Sequence, residues 1–324
     1  MRYRLLGRTG LRVSEVFLGA LAFGEAAGGA SLKEARRILD VYADAGGNVL
    51  DTANNYGGGH SERDLGELLQ GRRDRFVLGT KYTWTRDTTD PNAAGNHRKN
   101  LVRSLEESLR RLRTDYVDLY WAHIWDPYTP VEETVRALDD AVRAGKVLHV
   151  GFSDTPAWTV ARAVTLAEWH GHERPAAIQV PYNVLQRDVE RELLPMAENL
   201  GLTVAAWSPL AKGTLAGRHD PATLEGPARR AAEEVSAIAA EVGATPAQVA
   251  LAWTRARSRA VHPLVGVSKA AQMEDVLGAL DLVLPGEAVA RLDAAGDFEL
   301  GFPGNFITQA APLYGETYHR IDPA

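Results

Sequence analysis

Short runs of apolar residues recur along the chain, and between them the apolar positions fall every three or four residues. The runs are Val16–Leu18, Val49–Asp51, Phe76–Lys81, Val117–His123, Val147–Phe152, Ala176–Val180, Thr203–Trp207 and Pro263–Gly266. Continuous apolar character, rather than strict alternation, suits parallel strands buried on both faces. Leu32, Ala35, Ile38, Leu39 and Tyr42 form one helical stripe, and Leu101, Leu105, Leu109 and Leu112 another. Helix starts are marked by Ser31-Leu-Lys-Glu34, Thr129-Pro130-Val-Glu132 and Thr245-Pro246-Ala-Gln248, each a capping hydroxyl with a Glu or Gln three residues on. Strand and helix alternating eight times predicts an α/β protein built as a closed (β/α)8 barrel, in preference to an open doubly wound sheet.

Three stretches depart from the simple repeat. Residues 3–13 read as a hairpin turning at Thr9-Gly10. The gap between Trp207 and Pro263 is too long for one helix and predicts two, Glu233–Glu241 and Thr245–Arg257. Residues 281–324 read as a helix followed, from Phe298 onward, by a loop rich in Gly, Pro and aromatics. The whole of 1–324 is thus expected to be one domain, with the barrel over 15–280.

Four polar residues stand at or just beyond the ends of predicted strands: Asp51, Tyr56, Lys81 and His123. In a parallel barrel the C-terminal strand ends converge on one mouth, where catalytic side chains gather. A phenol gives up its proton poorly at neutral pH, and a nearby ammonium eases that by favouring the phenolate. Lys81 can supply the ammonium, Asp51 can hold it, and His123 can orient a carbonyl. Singly, a loop tyrosine, a strand-end lysine and a lone histidine are more often structural. Gathered at one mouth they form a proton-delivery device.

The wording around these positions is also informative. Asp51-Thr-Ala-Asn-Asn-Tyr56-Gly, Gly59-His-Ser-Glu62, Gly79-Thr-Lys81 and Leu119-Tyr-Trp-Ala-His123 are followed by Gly151-Phe-Ser-Asp154, Gln179, Trp207-Ser-Pro-Leu210 and Gly266-Val-Ser-Lys269. In this order, from about Tyr3 to about Phe306, the chain resembles the aldo-keto reductase superfamily. The resemblance implies a barrel whose floor is crossed by the hairpin, and an NADPH-dependent reductase of aldehydes or ketones with Tyr56 as proton donor. It further implies that Ser153, Asp154 and Gln179 hold the nicotinamide carboxamide and that Trp207 stacks on the ring. Gly19, Ala20, Leu21 and Asp51 would line the cofactor. Ser208, Pro209, Leu210 and Gly213 would cradle the diphosphate under Arg218. Gly266, Ser268, Lys269, Gln272 and Asp275 would meet the adenosine end. Trp84, Trp125, Phe302 and Phe306 are expected to line the substrate cavity with His123.

Three positions depart from the family pattern: Asp154 stands where asparagine is commoner, Ser268 where many relatives have arginine, and Val276 where many have asparagine. The same family contains the nicotinamide-binding β-subunits of potassium channels, so a regulatory subunit is one alternative. A sugar or alcohol dehydrogenase working in the oxidative direction is another.

Composition narrows the picture by exclusion. The 324 residues are 45% hydrophobic and 24% charged, with a net charge of −6, which argues against a surface that binds nucleic-acid phosphates. With no cysteine there is no disulfide and no thiolate chemistry. The segment Gly19-Ala-Leu-Ala-Phe-Gly24 lacks the Lys-Ser/Thr of a phosphate-binding loop, and no Gly-x-Gly-x-x-Gly follows the first strand in a dinucleotide-binding context. His170-Gly-His172 is better explained by a helix C-terminus than by a metal, and no metal is expected. Neither a signal-peptide core nor an apolar run of membrane-spanning length is evident, so a soluble, cytoplasmic protein acting on a small-molecule carbonyl is expected.

Overall fold

In the computed structural model, which describes residues 1–25, 28–308 and 313–320, eight parallel strands close on themselves. They are β3 (Phe17–Gly19), β4 (Val49–Asp51), β5 (Val77–Tyr82), β6 (Val117–Ala122), β7 (Val147–Ser153), β8 (Ala177–Pro181), β9 (Thr203–Trp207) and β10 (Val261–Gly266), with β10 pairing back onto β3. Helices α1 (Leu32–Asp44), α2 (His60–Leu68), α3 (Arg98–Leu112), α4 (Val131–Arg143), α5 (Ala157–His170) and α6 (Leu193–Leu200) follow β3 to β8 in turn. Two helices, α7 (Gly226–Val242) and α8 (Pro246–Ala256), follow β9, and α9 (Ala270–Leu277) and α10 (Gly286–Ala295) follow β10. The predicted (β/α)8 barrel is the observed one, and the open sheet is excluded.

Successive strand residues point to opposite faces, so each strand sends alternate side chains into the lumen. The lower lumen is apolar: Phe17, Val49, Val77, Leu119, Trp121, Ala177, Ala205 and Leu264 pack there with Leu6 and Val13. The latter two belong to the hairpin of β1 (Tyr3–Leu5) and β2 (Arg12–Ser14), paired with Tyr3 opposite Ser14. Gly7 N donates to Thr203 Oγ1 at 2.8 Å, and Ser14 O lies 2.9 Å from His262 Nδ1. These partners stand at the N-terminal ends of β9 and β10, so the hairpin closes the bottom of the barrel as expected.

Trp121 fits only because its neighbours lack side chains. A Cβ on Gly151 of β7 would sit 2.5 Å from the indole ring, and one on Gly79 of β5 would sit 3.1 Å from its Nε1. The indole thus takes the space that two adjacent strands leave empty.

The helix signals read differently in detail. Thr245 forms the predicted capping box, accepting from Gln248 N at 3.2 Å while its own N donates to Gln248 Oε1 at 3.3 Å. Ser31 caps Glu34 N at 3.3 Å, but the Glu34 carboxylate leaves the box to accept from Ala270 N at 2.7 Å, tying α1 to α9. The predicted Thr129 box does not form. Thr129 Oγ1 instead donates to Asp126 Oδ2 at 2.6 Å, and Pro130 occupies the N-cap without a side-chain bond. Helix α7 begins well before the predicted Glu233, with Pro227 in its first turn and Ala231 and Ala232 buried. The tail is not wholly loop: α11 (Gly304–Ile307) and a 3-10 turn at Gly315–Arg320 interrupt it.

Candidate active site

The inward alternation carries on above the apolar layer and turns polar at the mouth. On β4 the inward row is Val49 then Asp51, on β5 Val77, Gly79 then Lys81, and on β6 Leu119 and Trp121, with His123 just past the strand end. Strand pairing sets Asp51 beside Gly79 and Lys81 beside Trp121. The polar groups therefore arrive at one level without any unusual backbone.

Lys81 is fully buried, and its Nζ bonds three ways. It donates to Asp51 Oδ2 in a short ion pair, to Thr52 O at 2.9 Å and to Tyr56 OH at 3.2 Å. Tyr56 comes down from a 3-10 turn in which Gly57, Gly58 and Gly59 all take positive φ (55°, 63° and 87°), a run that glycine alone adopts without strain. From the far side, Gln179 Nε2 donates to Asp51 Oδ1 at 3.1 Å. The Trp121 indole faces the same carboxylate from below, without a well-formed hydrogen bond.

The charges follow from this packing. Burial disfavours the Lys81 ammonium, but Asp51 and then Tyr56 outweigh it and hold the lysine pKa above its ordinary range. Burial likewise drives the Asp51 carboxyl upward, against the pull of Lys81 and of the Gln179 hydrogen bond. The two form one buried pair in which the proton rests on Lys81. Burial, then the Lys81 charge, pushes His123 down to about 2, so its imidazole is neutral across the working range. His262, buried under the barrel, is pushed down to about 4 for the same first reason.

A direct expectation follows. Neither imidazole should titrate in an NMR series between about pH 5 and 9, although a free histidine turns over near 6.5. Because both folded pKa values lie below the unfolded one, their stabilising contribution is complete above about pH 6.5 and is lost as the pH falls. Each histidine should remove on the order of 2 kcal/mol by pH 5. A midpoint near 6.5 for either ring would contradict the buried, neutral assignment.

Above the tetrad lies a cavity of about 600 Å³. Asp51, Tyr56, His123, Ser153, Asp154 and Gln179 form one end of its lining. Trp207, Ser208, Pro209, Leu210, Gly213 and Arg218, all from β9 and the loop after it, form a second part, and Gly19, Leu21 and Gly266 a third. Ala22, Lys212, Leu264 and Val265 also line it and were not expected from the sequence. Lys212 lies inside the motif that drew attention to its neighbours; Leu264 is simply two residues below Gly266 on the inward row.

The loop after β9 holds much of the chain's backbone strain. Ser208, Ala211 and Lys212 take positive φ (51°, 46° and 56°), which costs a non-glycine residue on the order of 1 kcal/mol each. Asn183 Nδ2 pins the first of them by donating to Ser208 O at 3.0 Å. At Gly213 a Cβ would lie 3.2 Å from Arg218 Cδ, so glycine lets the arginine fold over the loop. A strained, cation-bearing loop beside a broad indole and three amide-compatible polar groups suits a nicotinamide dinucleotide. Ser153, Asp154, Gln179 and Trp207 would take the nicotinamide end, and Ser208–Gly213 with Arg218 the diphosphate.

Other expected residues do not themselves line the cavity. Ala20 is buried behind its rim. Ser268 and Lys269 are exposed at the start of α9, where Gln272 Oε1 accepts from Ser268 N at 3.0 Å. Asp275 is engaged with α8, accepting from Thr245 Oγ1 at 2.8 Å and Gln248 Nε2 at 3.0 Å. Trp84 packs edge-on against His123, with ring centres 6.2 Å apart. Trp125 meets Trp158, a residue the sequence did not single out, at 6.0 Å. Phe302 and Phe306 are exposed, and Phe302 borders a separate depression with Arg191 and Pro156.

Comparison with known proteins agrees with this geometry. Residues 15–297 match the aldo/keto reductase family. Norsolorinic acid reductase of Emericella nidulans is 37% identical over 320 residues, covering 93% of this chain and 83% of the relative. A putative aryl-alcohol dehydrogenase of Saccharomyces cerevisiae is 34% identical, covering 94% of this chain and 89% of the relative. An aldo-keto reductase of Aspergillus calidoustus is 36% identical, with 94% and 85% covered. With the barrel, the tetrad and the match over nearly its whole length in agreement, the chain belongs to the aldo/keto reductase family of oxidoreductases.

Proposed function

We propose that this protein reduces an aldehyde or ketone with NADPH, Tyr56 protonating the carbonyl oxygen. The observation that carries this reading is the fully buried Lys81 ammonium bonded at once to Asp51 and to the Tyr56 hydroxyl. When bound, the reduced nicotinamide supplies the hydride to the carbonyl carbon. Everything else falls to side chains. Lys81 stabilises the phenolate that forms as Tyr56 releases its proton, and Asp51 keeps Lys81 charged and in place. The neutral His123 lies beside Tyr56, with ring centres 5.7 Å apart, and can donate a hydrogen bond to the same carbonyl oxygen. Proton donation of this kind is worth on the order of 100- to 10,000-fold.

One relative is named a reductase of norsolorinic acid and another a putative dehydrogenase of aryl alcohols, which are aromatic by name. Trp84 packs on the lining His123, and Trp125, which donates to the carbonyl of the lining Asp154, meets Trp158; indoles so close behind the lining would suit flat aromatic carbonyls. We place the protein in the cytoplasm as a single-domain enzyme of a small-molecule carbonyl. The test is a panel of aromatic and aliphatic aldehydes and ketones, with consumption of NADPH followed by absorbance; no turnover of any member would refute the reading.

Preference between cofactors rests on the exposed Ser268 and Lys269. NADPH carries an extra phosphate, which Lys269 can meet as a point charge and Ser268 with one hydrogen bond, without the fork of an arginine. A charge-assisted contact of about 1.5–3 kcal/mol is roughly 10- to 150-fold in affinity. NADPH should bind more tightly than NADH, and Lys269→Ala should narrow the gap mainly by weakening NADPH. Equal affinity of the wild type for both, by fluorescence titration, would remove this segment from phosphate binding.

A further inference from the structure

Two carboxylates line the cavity, and they differ in one respect. Asp51 is neutralised by Lys81, whereas Asp154 pairs with no cation among the described residues. Its backbone fixes it firmly. Asp154 N donates to Gln179 O at 3.1 Å, its carbonyl accepts from Trp125 N at 3.3 Å, and φ is 42°, a left-handed value that Asp and Asn tolerate best. Its Oδ1 accepts from Trp207 Nε1 at 3.1 Å, so the carboxylate stands at the edge of the broadest flat surface in the cavity. It is open to solvent at the mouth but walled by protein on its other sides, and burial raises its pKa against the Trp207 hydrogen bond.

The Trp207 indole would hold the ring that delivers hydride to a carbonyl bound by Tyr56 and His123, since all three line one cavity. That ring is neutral when reduced and carries a positive charge when oxidised, and Asp154, bonded to the edge of the Trp207 indole, is the lining carboxylate that no cation pairs with among the described residues. The cations that line the cavity, Lys212 and Arg218, stand instead on or beside the strained loop after β9, where they would meet the cofactor's phosphates. Resting on the cofactor reading above, we propose that Asp154 makes this protein favour the oxidised cofactor over the reduced one, by setting a full negative charge against the ring that becomes cationic. An asparagine would keep the acceptor for Trp207 and add a donor, but supply no charge. The consequence is that bound NADPH becomes the stronger reductant, so hydride transfer on the enzyme is drawn toward alcohol and NADP+, and tightly held NADP+ inhibits the reduction as a product.

Asp154→Asn tests this, since it is isosteric and equally at ease with the left-handed backbone. Calorimetric titration of the full chain at about pH 8, well above the ordinary carboxylate range, gives the two dissociation constants. An attraction across a partly solvated cavity predicts that the variant binds NADP+ about tenfold more weakly while NADPH changes little, roughly a 30 mV rise in the potential of the bound two-electron couple. Equal changes for both nucleotides, or none, would overturn the role of Asp154 and leave the cofactor reading intact. Failure of the wild type to bind either nucleotide would overturn both.

Discussion

Replacing Tyr56 with phenylalanine should lower carbonyl reduction by about 100- to 10,000-fold, the range for loss of a general acid. The substitution removes one oxygen and leaves the ring, so its edge-on packing against His123 at 5.7 Å survives. Lys81 keeps its bonds to Asp51 and to Thr52 O, and no buried charge is orphaned. Stability should therefore change little, and the cofactor, held by groups other than the phenol, should bind as before. The informative measurement is single-turnover reduction at saturating NADPH beside a fluorescence titration of the cofactor. Near-normal turnover would remove Tyr56 from the acid role. A parallel loss of affinity would mean that the tyrosine holds the cofactor rather than the proton.

Lys81→Met should damage both activity and folding, and the two can be separated. Activity falls because the phenolate loses its ammonium. Folding suffers because Asp51, only 3% exposed, is left as an unpaired carboxylate at the foot of the cavity with almost no access to solvent. Breaking a buried pair from one side typically costs about 3–5 kcal/mol. The pH dependence carries a sign. Without Lys81, burial raises the folded Asp51 pKa above its unfolded value, so the variant is most stable when that carboxyl is protonated. It loses stability as the pH rises from about 4 toward neutrality. Adding Asp51→Asn should restore much of the stability and none of the activity. Urea melts across pH, compared for the single and double variants, make the distinction. A single variant as stable as wild type at neutral pH would show that water reaches Asp51 from some direction.

Much of the barrel was readable because parallel strands buried on both faces leave unbroken apolar runs. The boundaries moved for local reasons. Strand β10 starts at Val261, two residues before the apolar run suggested, because the polar His262 is itself buried, 1% exposed, against the hairpin. Helix α7 hid its first two turns behind a Gly-Pro start and small alanines, which carry little hydrophobic signal although two of them are buried. Thr129 carried the letters of a cap, but the Asp126 carboxylate competed for its hydroxyl.

At the site, the tetrad was visible as polar residues where apolar runs stop. The floor was not. Trp121 sits two residues before His123 on the same inward row, and only Gly151, across from it on β7, and Gly79, two residues below its β5 partner Lys81, reveal the space it needs. Asn183 is equally silent in sequence, since its bond to Ser208 O spans two loops. The tail carried the weakest signal, and its Phe302 turned out to border a different depression from the cavity above the tetrad.

Trp121, wedged between two glycines above a layer of phenylalanine, valine and leucine, has one further consequence. With Tyr56 as the proton donor proposed above, each reduction would consume a proton that must be replaced there. Among the described residues the wedge and the apolar plug beneath it fill the lower lumen with buried side chains, so the replacement should arrive through the mouth. That is where the reactants themselves sit. Recharging the acid and releasing the alcohol then compete for one doorway, and the enzyme cannot be re-armed while its product stays bound. Turnover slowed by heavy water should accordingly report on the opening of the mouth as well as on the chemical step.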